Sequence, residues 1–145
     1  MKSYRFSMEK VLEWRADLED SAHLLVKEKE EALQNEQARL EGLIKESRKL
    51  KSENLFKSSI DDLKRHSLYT ELLDDKIVRQ KLAIQTAETE LDRAREQLKE
   101  AHKDKKVMEK LEEKEKKRYI EFVNKKEQEQ LDEISTLSFG RPTVY

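Results

Sequence analysis

The chain has 145 residues, 43% of them charged and 35% hydrophobic, with a mean hydropathy of −1.02. Its 31 basic and 32 acidic residues nearly cancel and are interspersed, which argues against a nucleic-acid partner. The lack of cysteine excludes disulfide frameworks and thiolate zinc sites, and no stretch approaches the ~18 apolar residues of a membrane span.

The start, Met1-Lys2-Ser3-Tyr4-Arg5, has no apolar run of signal-peptide type, so a cytoplasmic protein without direct membrane insertion is expected. Gly42, Gly140 and Pro142 are the whole inventory of helix breakers. A chain so rich in Glu, Lys, Leu, Gln and Ala favours long helices that bury a narrow stripe. The expected fold is all-α: an antiparallel two-helix coiled-coil hairpin with a long second helix, forming one domain. Its parts are helix 1 at about 7–52, a connection at about 53–59, helix 2 at about 60–135 and a disordered tail at 136–145.

The first element opens on "YRFSMEKVLEWRADLE". Ser7, with Glu9 in the first turn, reads as a helix start, although Lys10 stands where a capping box needs Glu or Gln. Met8, Val11, Leu18, Ala22 and Leu25 share a stripe, and Val26, Leu33, Leu40, Leu43 and Leu50 continue it with an offset of about four residues, a stutter. Phe6 and Trp14 are bulky and do not both lie on that stripe. Gly42 falls inside the helix at a cost of about 1 kcal/mol. At 1.5 Å per residue the first arm is roughly 65–70 Å long.

Periodicity fails over "SENLFKSS", and Ser59 followed by Asp61 and Asp62 predicts the N-cap of the second helix. From Leu63 a heptad runs through Ile77, Ile84, Leu91 and Leu98, with Leu73, Ala87, Ala94, Ala101 and Met108 at the paired positions. Such a 3.5-residue repeat keeps one seam turned toward a partner helix, and the alanines permit close approach. His66 falls on this seam near the turn; His23 and His102 do not. Off-seam Tyr69 and Leu72 either complete a local core there or form a second contact surface. Helical ion pairs Glu41–Lys45, Asp75–Arg79, Glu112–Lys116, Glu113–Lys117 and Glu121–Lys125 are expected on the exposed faces.

A turn centred near 56 places Met8 opposite residue 104 and leaves about thirty residues of helix 2 overhanging; folding 60–66 into the connection shortens that overhang. The overhanging part is charged, "EKLEEKEKKR", and then carries Tyr119, Ile120, Phe122 and Val123. Tyr119 and Phe122 continue the seam, yet the four together span an arc of roughly 160°, wider than a two-helix seam needs. Lys105, Glu112 and Glu115 at seam positions weaken local pairing. An antiparallel hairpin brings this segment to the end that also holds Tyr4, Phe6 and Trp14, which suggests a partner surface. Nothing points to catalysis. No phosphate-binding loop exists, the three histidines are scattered without metal-ligand spacing, and paired carboxylates are expected by chance at this charge density. Neither a cofactor nor a metal is expected.

The opening pattern at Tyr4, Phe6, Met8, Val11, Leu12 and Arg15 resembles that of the FliJ family of the bacterial flagellar type III export apparatus, with Met8 in place of a more usual leucine. The closing "KLEEKEKKRYIEFVNKKEQEQLDEI" is similar to that family's Lys/Glu-rich end; residues 16–108 agree in pattern. The resemblance implies a non-enzymatic stalk and adaptor, similar in fold to the central stalk of rotary ATPases. Implied partners are the hexameric flagellar export ATPase, entered by the paired terminal helices, the export-gate membrane protein and flagellar substrate chaperones. It would be peripherally associated with the membrane export apparatus. On this reading the ATPase contact comprises Phe6, Val11, Trp14, Leu18, Tyr119, Phe122 and Val123, and the gate contact Tyr69 and Leu72. A self-associating structural coiled coil and an ATP-independent export chaperone are the alternatives.

Overall fold

Helix-forming residues with a single interior glycine produce two long helices, α1 (Glu9–Lys51) and α2 (Ile60–Gly140). The structure, a computed structural model, describes residues 3–140, with side chains to residue 138. The fold is an all-α antiparallel helical hairpin, and among the described residues there are no strands. It divides into two compact units: the described residues up to Leu18 with those from His102 onward, and Glu19–Ala101.

The larger unit carries the apolar seam. Leu73, Ala87, Leu91 and Ala94 of α2 are buried there. They face half-buried Ala22, Val26, Leu33, Leu40, Leu43 and Leu50 of α1. Pairing is antiparallel: Leu50 carbonyl lies 2.9 Å from His66 Nε2, Gln80 Nε2 donates to the Glu36 carbonyl at 2.8 Å, and Lys29 bridges Glu90 at 3.0 Å. The α1 stripe differs from expectation. Seam positions run unbroken from Ala22 to Leu50 through Lys29, Glu36 and Ser47. No offset occurs between Leu25 and Val26. Lys29 and Glu36 bury their stems and meet Glu90 and Gln80 on the partner helix, and Ser47 is small enough to be buried, so a tally of apolar residues alone skips them. The longer step falls instead at Val11, Arg15 and Glu19, all at least half-buried, while Met8 and Leu18 are exposed.

Both ends of the connection are closed by local hydrogen bonds. Ser52 Oγ donates to the Lys49 carbonyl at 2.9 Å, and the Asp62 amide donates to Ser59 Oγ at 3.2 Å, the expected N-cap. Every side chain from Ile60 to Arg65 is exposed, Leu63 included, because α1 ends at Lys51 and its Leu50 already meets His66. The first turn of α2 thus belongs to the bend. At its other end α2 is helical past the expected stop near 135, since Ser135 to Ser138 includes neither glycine nor proline. Of the tail expected at 136–145, residues 141–145 lie outside the described residues.

In the smaller unit Phe6 and Met108 form the core, flanked by half-buried Val11, Leu12, Tyr119 and Val123. Ser7 meets Glu115 and Arg15 meets Asp104, so Met8 does not stand opposite residue 104. The expected overhang shrinks accordingly, and residues 124–138 carry only exposed side chains. Ion pairs join the helices, among them Arg15–Asp104 here and Lys29–Glu90, Lys51–Asp74 and Glu30–Arg95 in the larger unit. The five expected i,i+4 pairs do not close within 4 Å among the described residues. Exposed pairs of that kind gain only tenths of a kcal/mol against the entropy of two long side chains.

Candidate partner-binding surface

The N-terminal segment is docked on α2 by polar contacts as much as by Phe6. Ser7 does not cap α1 as expected. Its amide and its hydroxyl both donate to the Glu115 carboxylate, at 3.1 and 2.8 Å. Tyr4 donates to the Glu112 carbonyl at 3.3 Å and its ring lies 5.4 Å from that of Tyr119. Partial burial of Tyr4 beside the carboxylates of Glu115 and Glu112 raises its phenol pKa above the ordinary value of 10.0. The Glu115 carboxylate and the Glu112 main-chain carbonyl therefore accept from the N-terminal segment, with the Glu112 carboxylate a charged neighbour.

This docking sorts the seven expected ATPase-contact residues, all of which lie in the smaller unit. Phe6 is only 8% exposed and is core, so it supports the surface without forming it. Val11, Tyr119 and Val123 are half-buried. Trp14 and Phe122 are open, at 53% and 56% exposure, and Leu18 joins them at 38%. Phe122 was expected on the seam, but Val123 takes that place because the pairing steps by four from Tyr119. Both open aromatics carry a cation: the Arg15 guanidinium stands 4.7 Å from the Trp14 ring centre and Lys126 Nζ 5.1 Å from that of Phe122. Beside Tyr119, an open groove of about 480 Å³ is lined by Tyr4, Ile120, Val123 and Glu127.

The second expected contact lies in the larger unit. Tyr69 is tethered, donating its hydroxyl to Glu46 Oε1 at 2.5 Å, a bond that raises its pKa above 10.0. Leu72 is half exposed, and with it stand Leu68, Val78 and Leu82, all on the outward side of α2. Phe56 in the connection is 92% exposed. Leu68, Val78 and Leu82 are not among the expected contact residues. Their signal was available, since each sits at an outward position of the heptad counted from Leu63.

Among the described residues no group of His, Asp and Glu has the arrangement to hold a metal ion, and no helix is long and apolar enough to cross a membrane. The described residues thus form a coiled-coil hairpin with exposed aromatics beside a polar part of its seam. The flagellar FliJ protein family matches residues 4–143. The chain belongs to that family, whose members are non-enzymatic components of the type III export apparatus. Among solved structures it is similar to a YscO homolog, CT670, from Chlamydia trachomatis, at 24% identity and a TM-score of 0.80, over 94% of this chain and 96% of that one. That likeness concerns the fold. No curated protein matches the chain.

Proposed function

We propose that this chain is a stalk and adaptor of the flagellar export machinery, held at the membrane apparatus through its partners. Its smaller unit would insert into the hexameric export ATPase, and its larger unit would contact the export gate through Leu72 and Tyr69, with substrate chaperones as further partners. The observation that carries the reading is the pair of open aromatics, Trp14 and Phe122, on a unit whose buried apolar side chains among the described residues are Phe6 and Met108. Large exposed aromatics beside an already filled seam are characteristic anchors for a partner. The contact narrows to Trp14, Leu18 and Phe122, with Tyr119 and Val123 as its half-buried floor.

The test is the ATP hydrolysis rate of the purified flagellar export ATPase titrated with this chain and with a Trp14→Asp/Phe122→Asp variant of equal helicity by circular dichroism. Saturable stimulation by the wild type, lost in the variant, supports the reading. Equal stimulation by both removes the insertion surface, and no effect of either leaves the gate and chaperone contacts as the function. One observation favours self-association as the second reading: Leu131, Ile134 and Leu137 are exposed along the unpaired part of α2. A tight dimer in equilibrium sedimentation, abolished by Ile134→Asp, would favour it over a monomeric adaptor.

A further inference from the structure

The end of α2 is divided into two bands of opposite charge. Residues 114–126 contain six cations, Lys114, Lys116, Lys117, Arg118, Lys125 and Lys126, against two carboxylates, Glu115 and Glu121. Glu115 accepts from Ser7, and the band carries a net charge of +4. Residues 127–133 contain Glu127, Glu129, Asp132 and Glu133 and no cation. Of these twelve charged groups all but the half-buried Glu115 are exposed. None of the six cations stands within 4 Å of a carboxylate among the described residues, although other cations of the chain bridge the two helices.

The distribution around the helix narrows the kind of surface that fits. At about 100° per residue the six cations point to every side of α2, as a collar. A flat partner would neutralise only one side of it. The exposed Phe122 under Lys126 lies within the collar, and Leu131 lies within the acidic band, so each band has an apolar anchor as well as charge. The band centres, near residues 120 and 130, are about 15 Å apart along the axis.

We infer that the two bands set the depth and polarity of insertion into an enclosing protein surface, carboxylate-lined around 114–126 and cation-lined about 15 Å further along. The inference rests on the proposed insertion into the ATPase ring and adds the chemistry of that ring's inner surface. Sliding by the band spacing, or entering in the reverse sense, would oppose like charges. The bands would thus select one register where the apolar contacts alone allow several.

The experiment measures binding of the purified export ATPase to the full chain by fluorescence anisotropy at low and physiological salt. The variants are Lys117→Glu/Arg118→Glu/Lys125→Glu/Lys126→Glu and Glu127→Lys/Glu129→Lys/Asp132→Lys/Glu133→Lys. Each reversal is expected to weaken binding on the order of tenfold at low salt and to flatten the salt dependence. If a reversed helix loses helicity by circular dichroism, the matching Gln substitutions take its place, with a smaller loss expected. Unchanged affinity and salt dependence in both band variants, while Trp14→Asp/Phe122→Asp abolishes binding, overturns the bands and leaves the insertion reading standing. Wild-type binding by the Trp14→Asp/Phe122→Asp chain overturns the insertion reading itself. A loss in only one band variant overturns the two-band register.

Discussion

Removing the Glu115 carboxylate should release the N-terminal segment while leaving the larger unit intact. In the Glu115→Ala variant the Ser7 amide and hydroxyl lose acceptors now at 3.1 and 2.8 Å. Hydrogen bonds to a charged group are worth about 1.5–3 kcal/mol each, but these face solvent, so water replaces much of the loss. A combined cost of about 1–2 kcal/mol is expected, which corresponds to about 5–30-fold in the equilibrium between docked and open segment. The assay is native-state hydrogen exchange of the amides from Ser7 through Leu12. Their exchange should accelerate by that factor, while amides near Leu91 keep wild-type protection because they belong to the other unit. Glu115→Gln, which retains one carbonyl acceptor, should fall between. Unchanged exchange over residues 7–12 would refute the reasoning: Phe6 burial alone would then hold the segment, and the polar clamp would be incidental.

Three further outcomes follow from the packing. Gly42→Ala should stabilise the chain by about 0.5–1 kcal/mol, because a Cβ there meets nothing within 4 Å and the glycine has no positive φ; thermal melting followed by circular dichroism should shift upward by a few degrees. Leu91→Ala should destabilise the larger unit by about 2–4 kcal/mol, since Leu91 is buried in the alanine-rich seam; urea denaturation reads the loss. Tyr4 and Tyr69 should ionise above pH 10.0, for burial near carboxylates and for the Glu46 bond respectively. A phenol with a raised folded-state pKa holds its proton more tightly in the folded chain. Its contribution is therefore complete below pH 10.0 and is lost as pH rises through the folded value. Phenolate absorbance should show the delay, and Tyr69→Phe should remove the Tyr69 part of it.

Much of this protein is determined by local sequence. Helix formation follows from composition, and the seam through Leu73, Ile77, Ala87, Leu91 and Ala94 follows from a period that needs no knowledge of the partner helix. Ser59 capping α2 is equally local, a side chain bonding an amide three residues on. The register between the helices is different in kind. It depends on how many residues the bend consumes, and the first turn of α2 is helical by sequence yet lies in the bend, so Leu50 meets His66. In the smaller unit the docking of Ser7 on Glu115 accompanies a buried Phe6, an outward Phe122 and a seam taken by Val123. Pairing of charges is also a tertiary outcome, because a long Lys or Glu chooses among solvent, its own helix and the facing helix by differences of a few tenths of a kcal/mol. The candidate surface was thus legible in its residue types, while the side chains that face a partner were decided by the docking of the N-terminal segment against α2.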